Sequence, residues 1–396
     1  MNFAISRYLS ARQIAAGLAG YCSFINLYSP QAILPLLSSD FGVGAAGIST
    51  IMTASTLAVA LTAPFTGTVA DVLGRKRVIV AAMAFLAVPT VMLSLSPNLS
   101  ALIFWRFIQG LAAPPIFVVT VAYIGDEWPP REATVAAGVY TSGASLGGFS
   151  GRMLTGFLAD LIGWRLAFDV LAVITLIGAA LVFVLLPREK KFVRSEGLIA
   201  SGKQMLRHLR NRQLIATYAV GFGVLFCFIA TFTFISFRLA APPYNFSPTA
   251  LGAIFLSYLL GSASTPWTGW VVGRFGRRQF MISNIAVWIC GIALTLAGPV
   301  WLILLGLTLC AGCGLMCQSV STGYVTITAQ AGRSSAVGLY VTSFYIGGSF
   351  GAALGGVAWI LAGWPACVAM IAAMLAIMAS IVALAWNGAP KIAPPV

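Results

Sequence analysis

Two apolar runs of ~20 residues each, long enough to cross ~30 Å of hydrocarbon, are joined by Gly67-Thr-Val-Ala-Asp71-Val-Leu-Gly74-Arg75-Lys76-Arg77. No other feature constrains the fold as much. Three adjacent cations are costly to carry into a bilayer, so this turn is predicted to stay on the cytoplasmic side. Gly67 and Gly74 permit close helix approach and a tight turn. Asp71 stands where it can accept hydrogen bonds from the start of the next helix or pair with a guanidinium. The phrasing returns as Gly269-Trp-Val-Val-Gly273-Arg274-Phe-Gly276-Arg277-Arg278.

The same length criterion gives twelve apolar segments: 12–37, 45–69, 78–97, 99–123, 134–159, 166–187, 212–238, 247–272, 279–298, 300–325, 335–359 and 364–386. They are continuously apolar, whereas barrel strands alternate, so the expected class is an all-α integral membrane protein with twelve transmembrane helices. A hydrophobic fraction of 59%, a charged fraction of 8% and a mean hydropathy of +0.95 exclude an ordinary soluble core. The net charge of +14 would suggest a nucleic-acid partner in a soluble protein. Here, with the N-terminus inside, 19 of the 23 lysines and arginines fall on the cytoplasmic side, leaving Arg106, Arg152, Arg165 and Arg238. The partner is therefore the lipid bilayer and not nucleic acid. Met1 to Arg12 heads a first transmembrane helix and not a signal peptide, and both termini are expected in the cytoplasm. All seven cysteines lie in apolar runs and read as packing residues.

Residues 138–164 set against 338–364 without a gap are identical at ten of 27 positions, among them Gly147, Gly148, Gly151, Gly156, Gly163 and Trp164. The earlier pairs, Gly67 with Gly269 and Gly110 with Gly312, stand at an offset of 202. The chain thus divides into two pseudo-symmetric six-helix bundles, 1–187 and 213–396, around a basic linker, 188–212. Two related bundles with a path between them is the plan of a transporter.

The first turn resembles the loop signature of the major facilitator superfamily, and Arg106-Phe-Ile-Gln109-Gly110 resembles its fourth-helix signature. Gly138 through Gly151 is similar to the glycine-rich fifth helix of its drug-efflux branches, without the Gly-Pro pair of antiporters. Tyr28-Ser-Pro-Gln31, Gly148-Phe-Ser-Gly151-Arg152 and Phe234-Ile-Ser-Phe-Arg238 resemble bacterial inner-membrane drug, arabinose and other sugar efflux carriers. The resemblance implies the major facilitator fold, a secondary carrier in a bacterial inner membrane and export of a small organic solute by alternating access. Sugar or organic-anion uptake, and a non-transporting receptor on the same scaffold, are the rival readings. An enzyme is not expected, because no catalytic constellation is present. No cofactor, no metal and a monomer are expected, with protons as the candidate coupling ion.

Charges inside a membrane face a partner or a wet cavity. Arg106 and Arg152 qualify, and Asn26, Gln31 and Gln109 add neutral hydrogen-bonding groups at similar depth; these five are the expected substrate cavity. Helix carbonyls are the structural alternative for Arg106, interhelical bonding for the three amides, and snorkelling to the surface for Arg152. By offset their second-half counterparts are Thr308 and Ala352, which puts any charge on the first bundle alone. Gly67, Asp71, Gly74 and Arg75 are the expected conformational latch, with a helix-end cap as the alternative. Gly147, Gly148, Gly151, Gly347, Gly348 and Gly351 are expected to let helices slide, or else to pack them closely. The acids are expected at or near a membrane surface, apart from Asp71 in the first turn, so a buried carboxylate for proton transfer is lacking and cationic solutes should be disfavoured.

Other motifs fail. Gly197 to Gln204 mimics a phosphate loop but ends in Gln where Ser or Thr is required. Cys310, Cys313 and Cys317 share a helix face without a His or acid beside them. His208, in the basic linker, is expected to be solvated. Asn98-Leu-Ser100 matches a glycosylation acceptor and carries little weight.

Overall fold

The computed structural model describes residues 10–189, 205–329 and 333–386, and among these the regular structure is helical throughout. The phosphate-loop mimic and most of the basic linker lie outside the described residues. The first eight helices are α1 (Ala11–Leu27), α2 (Leu34–Asp40), α3 (Ala45–Leu73), α4 (Arg75–Ser94), α5 (Leu99–Ala112), α6 (Pro114–Glu127), α7 (Pro130–Ile162) and α8 (Trp164–Leu185). Further along the chain come α9 (Arg212–Ala240), α10 (Pro248–Ala253), α11 (Leu256–Ser262), α12 (Thr268–Phe275), α13 (Arg277–Leu294), α14 (Val300–Thr328) and α15 (Arg333–Ala385). Among the described residues seven helical stretches are long and apolar enough to cross a membrane, with α5 and α6 counting as one. The chain is a multi-pass membrane protein.

Proline accounts for two of the places where the helices depart from the expected spans, Pro30 and Pro266, because it lacks the N–H that an interior turn requires. Span 12–37 stops at Leu27, passes through a 3₁₀ turn at Ser29–Ala32 containing Pro30, and resumes at Leu34 with Pro35 in its first turn. Span 247–272 is broken into α10, α11, a 3₁₀ turn at Thr265–Trp267 around Pro266, and α12. Spans 335–359 and 364–386 fall in the single stretch α15, which breaks sharply at Ala362 and Gly363. His208 is buried, at 8% exposure, and not solvated; the turn that carries it folds back on the start of α9, where the Asn211 amide donates to the His208 carbonyl.

Four one-residue corners use glycine because their φ is positive: Gly74 (+91°), Gly163 (+87°), Gly276 (+82°) and Gly363 (+63°). A side chain there would be strained, so each marks a helix reversal. Lipid supplies little hydrophobic drive between helices, and close packing of small residues does the work instead. On α7, Gly143, Gly147 and Gly151 face α1 so closely that a Cβ would lie 2.1, 2.3 and 2.3 Å from the carbonyl oxygens of Gly17, Tyr21 and Ile25. On α15, Gly347 and Gly351 meet the carbonyls of Phe222 and Phe226 on α9 in the same way, at 1.9 and 2.4 Å.

Candidate functional site

The helices enclose a cavity of about 470 Å³, within the ~300–1,000 Å³ typical of organic-ligand sites. Its wall is drawn from α1, α6, α7, α9, α11, α14 and α15, and among the described residues Arg152 is the one charged group on it. Aromatic rings supply much of the remainder, including Phe24, Phe117, Tyr140, Phe228, Tyr258 and Tyr345. Gln318 and Thr322 of α14 are wall groups that the sequence did not single out, and no periodic or charge signal marks them.

Arg152 is buried, with 3% exposure. Its Nε donates to Gln31 Oε1 at 2.8 Å and its Nη1 to the Gly148 carbonyl at 2.7 Å. The rings of Tyr28, Phe255 and Tyr258 lie 4.5, 4.5 and 5.0 Å from the guanidinium carbon, a cation–π arrangement that stabilises a charge out of water. Gln31 in turn donates to Thr233 Oγ1 on α9 at 3.1 Å. Burial on all sides rules out snorkelling.

Arg106 was expected at the cavity wall. It lies behind the wall, fully buried, because the break in α1 claims it. In an unbroken helix the amide of residue 30 would donate to the Asn26 carbonyl, but Pro30 has none. The Gln31 amide, which would serve Leu27, turns instead to the Tyr28 carbonyl at 3.1 Å. Arg106 supplies a donor to both carbonyls, Nη1 reaching Asn26 at 3.2 Å beside the Ser29 hydroxyl at 2.9 Å, and Nη2 reaching Leu27 at 2.6 Å. Nη2 also reaches Ser55 Oγ at 2.8 Å, and Nη1 donates to Gln109 Oε1. The Asn26 side chain donates to Thr175 Oγ1 at 2.7 Å, while Thr90 Oγ1 donates to its oxygen at 2.9 Å and accepts from Gln109 Nε2 at 2.9 Å. Asn26, Arg106 and Gln109 therefore tie five helices, α1, α3, α4, α5 and α8, from behind the cavity. The second-half counterpart α9 has no proline break, which is why Thr308 suffices opposite Arg106.

The expected latch is brought together only in part. Arg75 pairs with Asp71 at 3.3 Å and with Asp126 at the end of α6, and donates to the Ala122 carbonyl at 2.8 Å. Gly74 makes the corner, while Gly67 has no atom of another element within 4 Å of where a Cβ would sit. The sliding glycines also separate. Gly147, Gly151, Gly347 and Gly351 sit in the α1–α7 and α9–α15 seams, and Gly348 abuts Leu225; Gly148 borders the cavity, its nearest neighbour being Arg152 Nη1 at 3.5 Å. Seams this tight are close packing, because any displacement meets backbone.

Contacts across the cavity gather at one end. A Cβ at Gly156 would lie 2.3 Å from the Pro248 carbonyl oxygen, one at Gly252 would lie 2.9 Å from Met153 Cα, and one at Gly356 would lie 2.9 Å from Ala46 Cα. Thr56 and Ser349 hydroxyls meet at 2.9 Å, and Ser49 donates to the Ala352 carbonyl at 3.3 Å. The opposite end, which carries the Gly74 and Gly276 corners, is open: Gly138 and Gly338 have nothing within 4 Å. Gly138 and Gly156 are eighteen residues apart, five turns at ~3.6 residues each, so one face of α7 is sealed at one end and free at the other. The identity of Gly156 with Gly356 in the internal repeat was the signal that could have located this seal.

A multi-pass helical protein built around a ligand-sized cavity that is closed at one end and open at the other is a membrane transporter. The sequence profile of the Major Facilitator Superfamily matches residues 16–241 and again 225–395, and the chain belongs to that family. It is 32% identical over 363 residues to the inner membrane transport protein YnfM of Escherichia coli, covering 91% of this chain and 86% of that one. An uncharacterized transporter of Buchnera aphidicola is 30% identical over 348 residues, 88% of this chain and 84% of its own. Among solved structures, the nucleoside transporter NupG superposes with a TM-score of 0.77 at 16% identity, covering 95% of this chain and 100% of that one. A bacterial homolog of the lysosomal transporter Spinster, inward-facing and occupied, gives 0.73 at 16% identity over 94% of this chain and 96% of its own.

Proposed function

We propose that this transporter is a secondary carrier that exports a small organic solute by alternating access, with twelve spans in two six-helix bundles, 1–187 and 213–396. The observation that carries the reading is the pairing of a sealed end with an open end on the same helix faces. Rocking the bundles would separate Gly156 from Pro248 and Gly356 from Ala46, and close the Gly138 end of α7 and the Gly338 end of α15 each against the helix across the cavity. The open end carries the basic Arg75 and Arg277 turns, so on the positive-inside rule the cavity faces the cytoplasm, where both termini also lie. Loading from the cytoplasm suits export, and the resemblance to efflux carriers supports that direction. The protein works as a monomer in the bacterial inner membrane. Among the described residues no carboxylate lines the cavity, so coupling to protons would have to use another group.

Counterflow in proteoliposomes preloaded with a pool of small organic solutes tests the reading. A carrier exchanges labelled solute against the preload, with cytoplasm-to-periplasm flux favoured; retained ligand binding without flux in either direction overturns it in favour of a receptor. Impermeant maleimide should reach single cysteines in the Arg75 and Arg277 turns from the same side of the membrane. Labelling from opposite sides overturns the two-bundle plan.

A further inference from the structure

We propose that the cavity selects an organic monoanion with a flat, apolar body, its carboxylate or equivalent group held in the plane of the Arg152 guanidinium; this rests on the carrier reading above. Among the described residues Arg152 is the single charge on a wall made largely of aromatic and aliphatic groups. Six of the described acids are engaged elsewhere. Asp40 accepts from Trp164, Asp169 from Ser94 and Asp160 from Thr249; Asp71 and Asp126 hold Arg75, and Glu189 accepts from the Lys76 amide. None of them lines the cavity, so the guanidinium has no counter-ion of its own there.

Its surroundings also dictate how a ligand must approach. Nε and one Nη1 hydrogen are taken by Gln31 and Gly148, which fix the plane of the fork. Tyr28, Phe255 and Tyr258 pack around the guanidinium. The Nη2 group donates to no described protein group, so the Nη1–Nη2 edge is what remains for a ligand. Edge-on, two-point donation is the geometry that a carboxylate or a phosphate ester accepts. A cation would meet like charge without an acid to offset it. A dianion would leave its second charge unpaired among rings. A neutral solute would leave the buried cation uncompensated.

The position of Arg152 carries a further meaning. Its carbonyl and that of Met153 abut Gly252 at the edge of the seal. Tyr28 and Gln31 come from the first half of the chain, whereas Phe255 and Tyr258 come from the second. An anion on the free edge therefore sits where the two halves meet, and parting the seal strips the second-half rings from the guanidinium.

Binding of 2-naphthoate, 2-naphthamide, 2-naphthylmethylammonium and naphthalene-2,6-dicarboxylate to the purified full chain, followed by thermal shift and by fluorescence titration, tests the proposal. Naphthoate is expected to stabilise the protein, with the amide, the ammonium and the dianion weaker by ~10-fold or more, the scale of one charge-assisted pair. Arg152→Gln should abolish the preference for the acid over the amide, and Arg152→Lys should keep it at reduced affinity. Gln31→Glu is a second variant that leaves Arg152 in place but supplies a competing carboxylate at 2.8 Å; naphthoate affinity should fall in it too. Equal binding of acid and amide, preference for the ammonium, or unchanged naphthoate affinity in both Arg152→Gln and Gln31→Glu overturns the proposal. Counterflow of neutral or cationic solutes with no anion transported would sink the anion site and leave the carrier. Naphthoate binding without any flux would do the reverse.

Discussion

Asp160, at the last turn of α7, accepts two hydrogen bonds from Thr249 at the first turn of α10, one from the amide at 2.8 Å and one from the hydroxyl at 2.5 Å. This pair closes the sealed end over Arg152. Exposed hydrogen bonds are individually modest, ~0.5 kcal/mol each at the low end, so losing both in Asp160→Ala should raise the population open at that end by about fivefold. Gly156→Leu should do more, because its first added carbon already collides with the Pro248 carbonyl. A cysteine at Ser145, on the cavity wall, reports the change through its rate of reaction with impermeant maleimide added from that side. Unchanged rates in both variants would show that the seal lies elsewhere.

At the other end the expectation reverses. Gly138 and Gly338 have free space around them in this conformation, so leucine there should leave folding and ligand binding intact. Each side chain would then stand between two faces that must meet when the cavity reopens on the far side. Gly138→Leu/Gly338→Leu should cut transport by ~10-fold or more with binding within about twofold of the parent, an effect confined to the conformational step. Full transport by the double variant would argue that these faces never approach.

The sequence carried the helical class and the reversals at Gly74 and Gly276, because apolar length, charge placement and glycine spacing are local signals. It did not separate the glycines by role. Gly147 and Gly148 are adjacent, yet one meets the Tyr21 backbone and the other borders the cavity; only the rotation of α7 against α1 decides which. Nor could it distinguish Arg106 from Arg152. Both are membrane arginines near amides, but the proline break that consumes Arg106 lies eighty residues away on another helix.

That adjacent pair of glycines gives a direct comparison. Gly147→Ala forces a methyl to within 2.3 Å of a backbone oxygen, and overpacking of that kind costs ~1–3 kcal/mol. Gly148→Ala meets only the end of Arg152, at 3.5 Å. The first should lower the melting temperature with ligand affinity little changed in the folded fraction. The second should keep the melting temperature and alter affinity instead. The opposite assignment would mean that α7 is rotated from the orientation described.

Arg106 is the hardest residue to remove and the most informative. Arg106→Met keeps apolar bulk but strands the carbonyl of Leu27 and leaves that of Asn26 with the Ser29 hydroxyl alone, and a buried unpaired group costs ~1–3 kcal/mol. The variant should therefore unfold well below the parent, with any folded remainder binding solute at nearly parental affinity, because the side chain lies behind the wall. If the break at Pro30 is the cause, the two positions must be coupled. Pro30→Ala restores an amide that can donate to the Asn26 carbonyl and lets the Gln31 amide return to Leu27, so the helix satisfies itself without a guanidinium. In a double-mutant cycle Pro30→Ala should recover ~1 kcal/mol or more of what Arg106→Met loses. Strict additivity of the two substitutions, measured by urea or thermal unfolding in detergent, would show that Arg106 does something other than stand in for the missing turn.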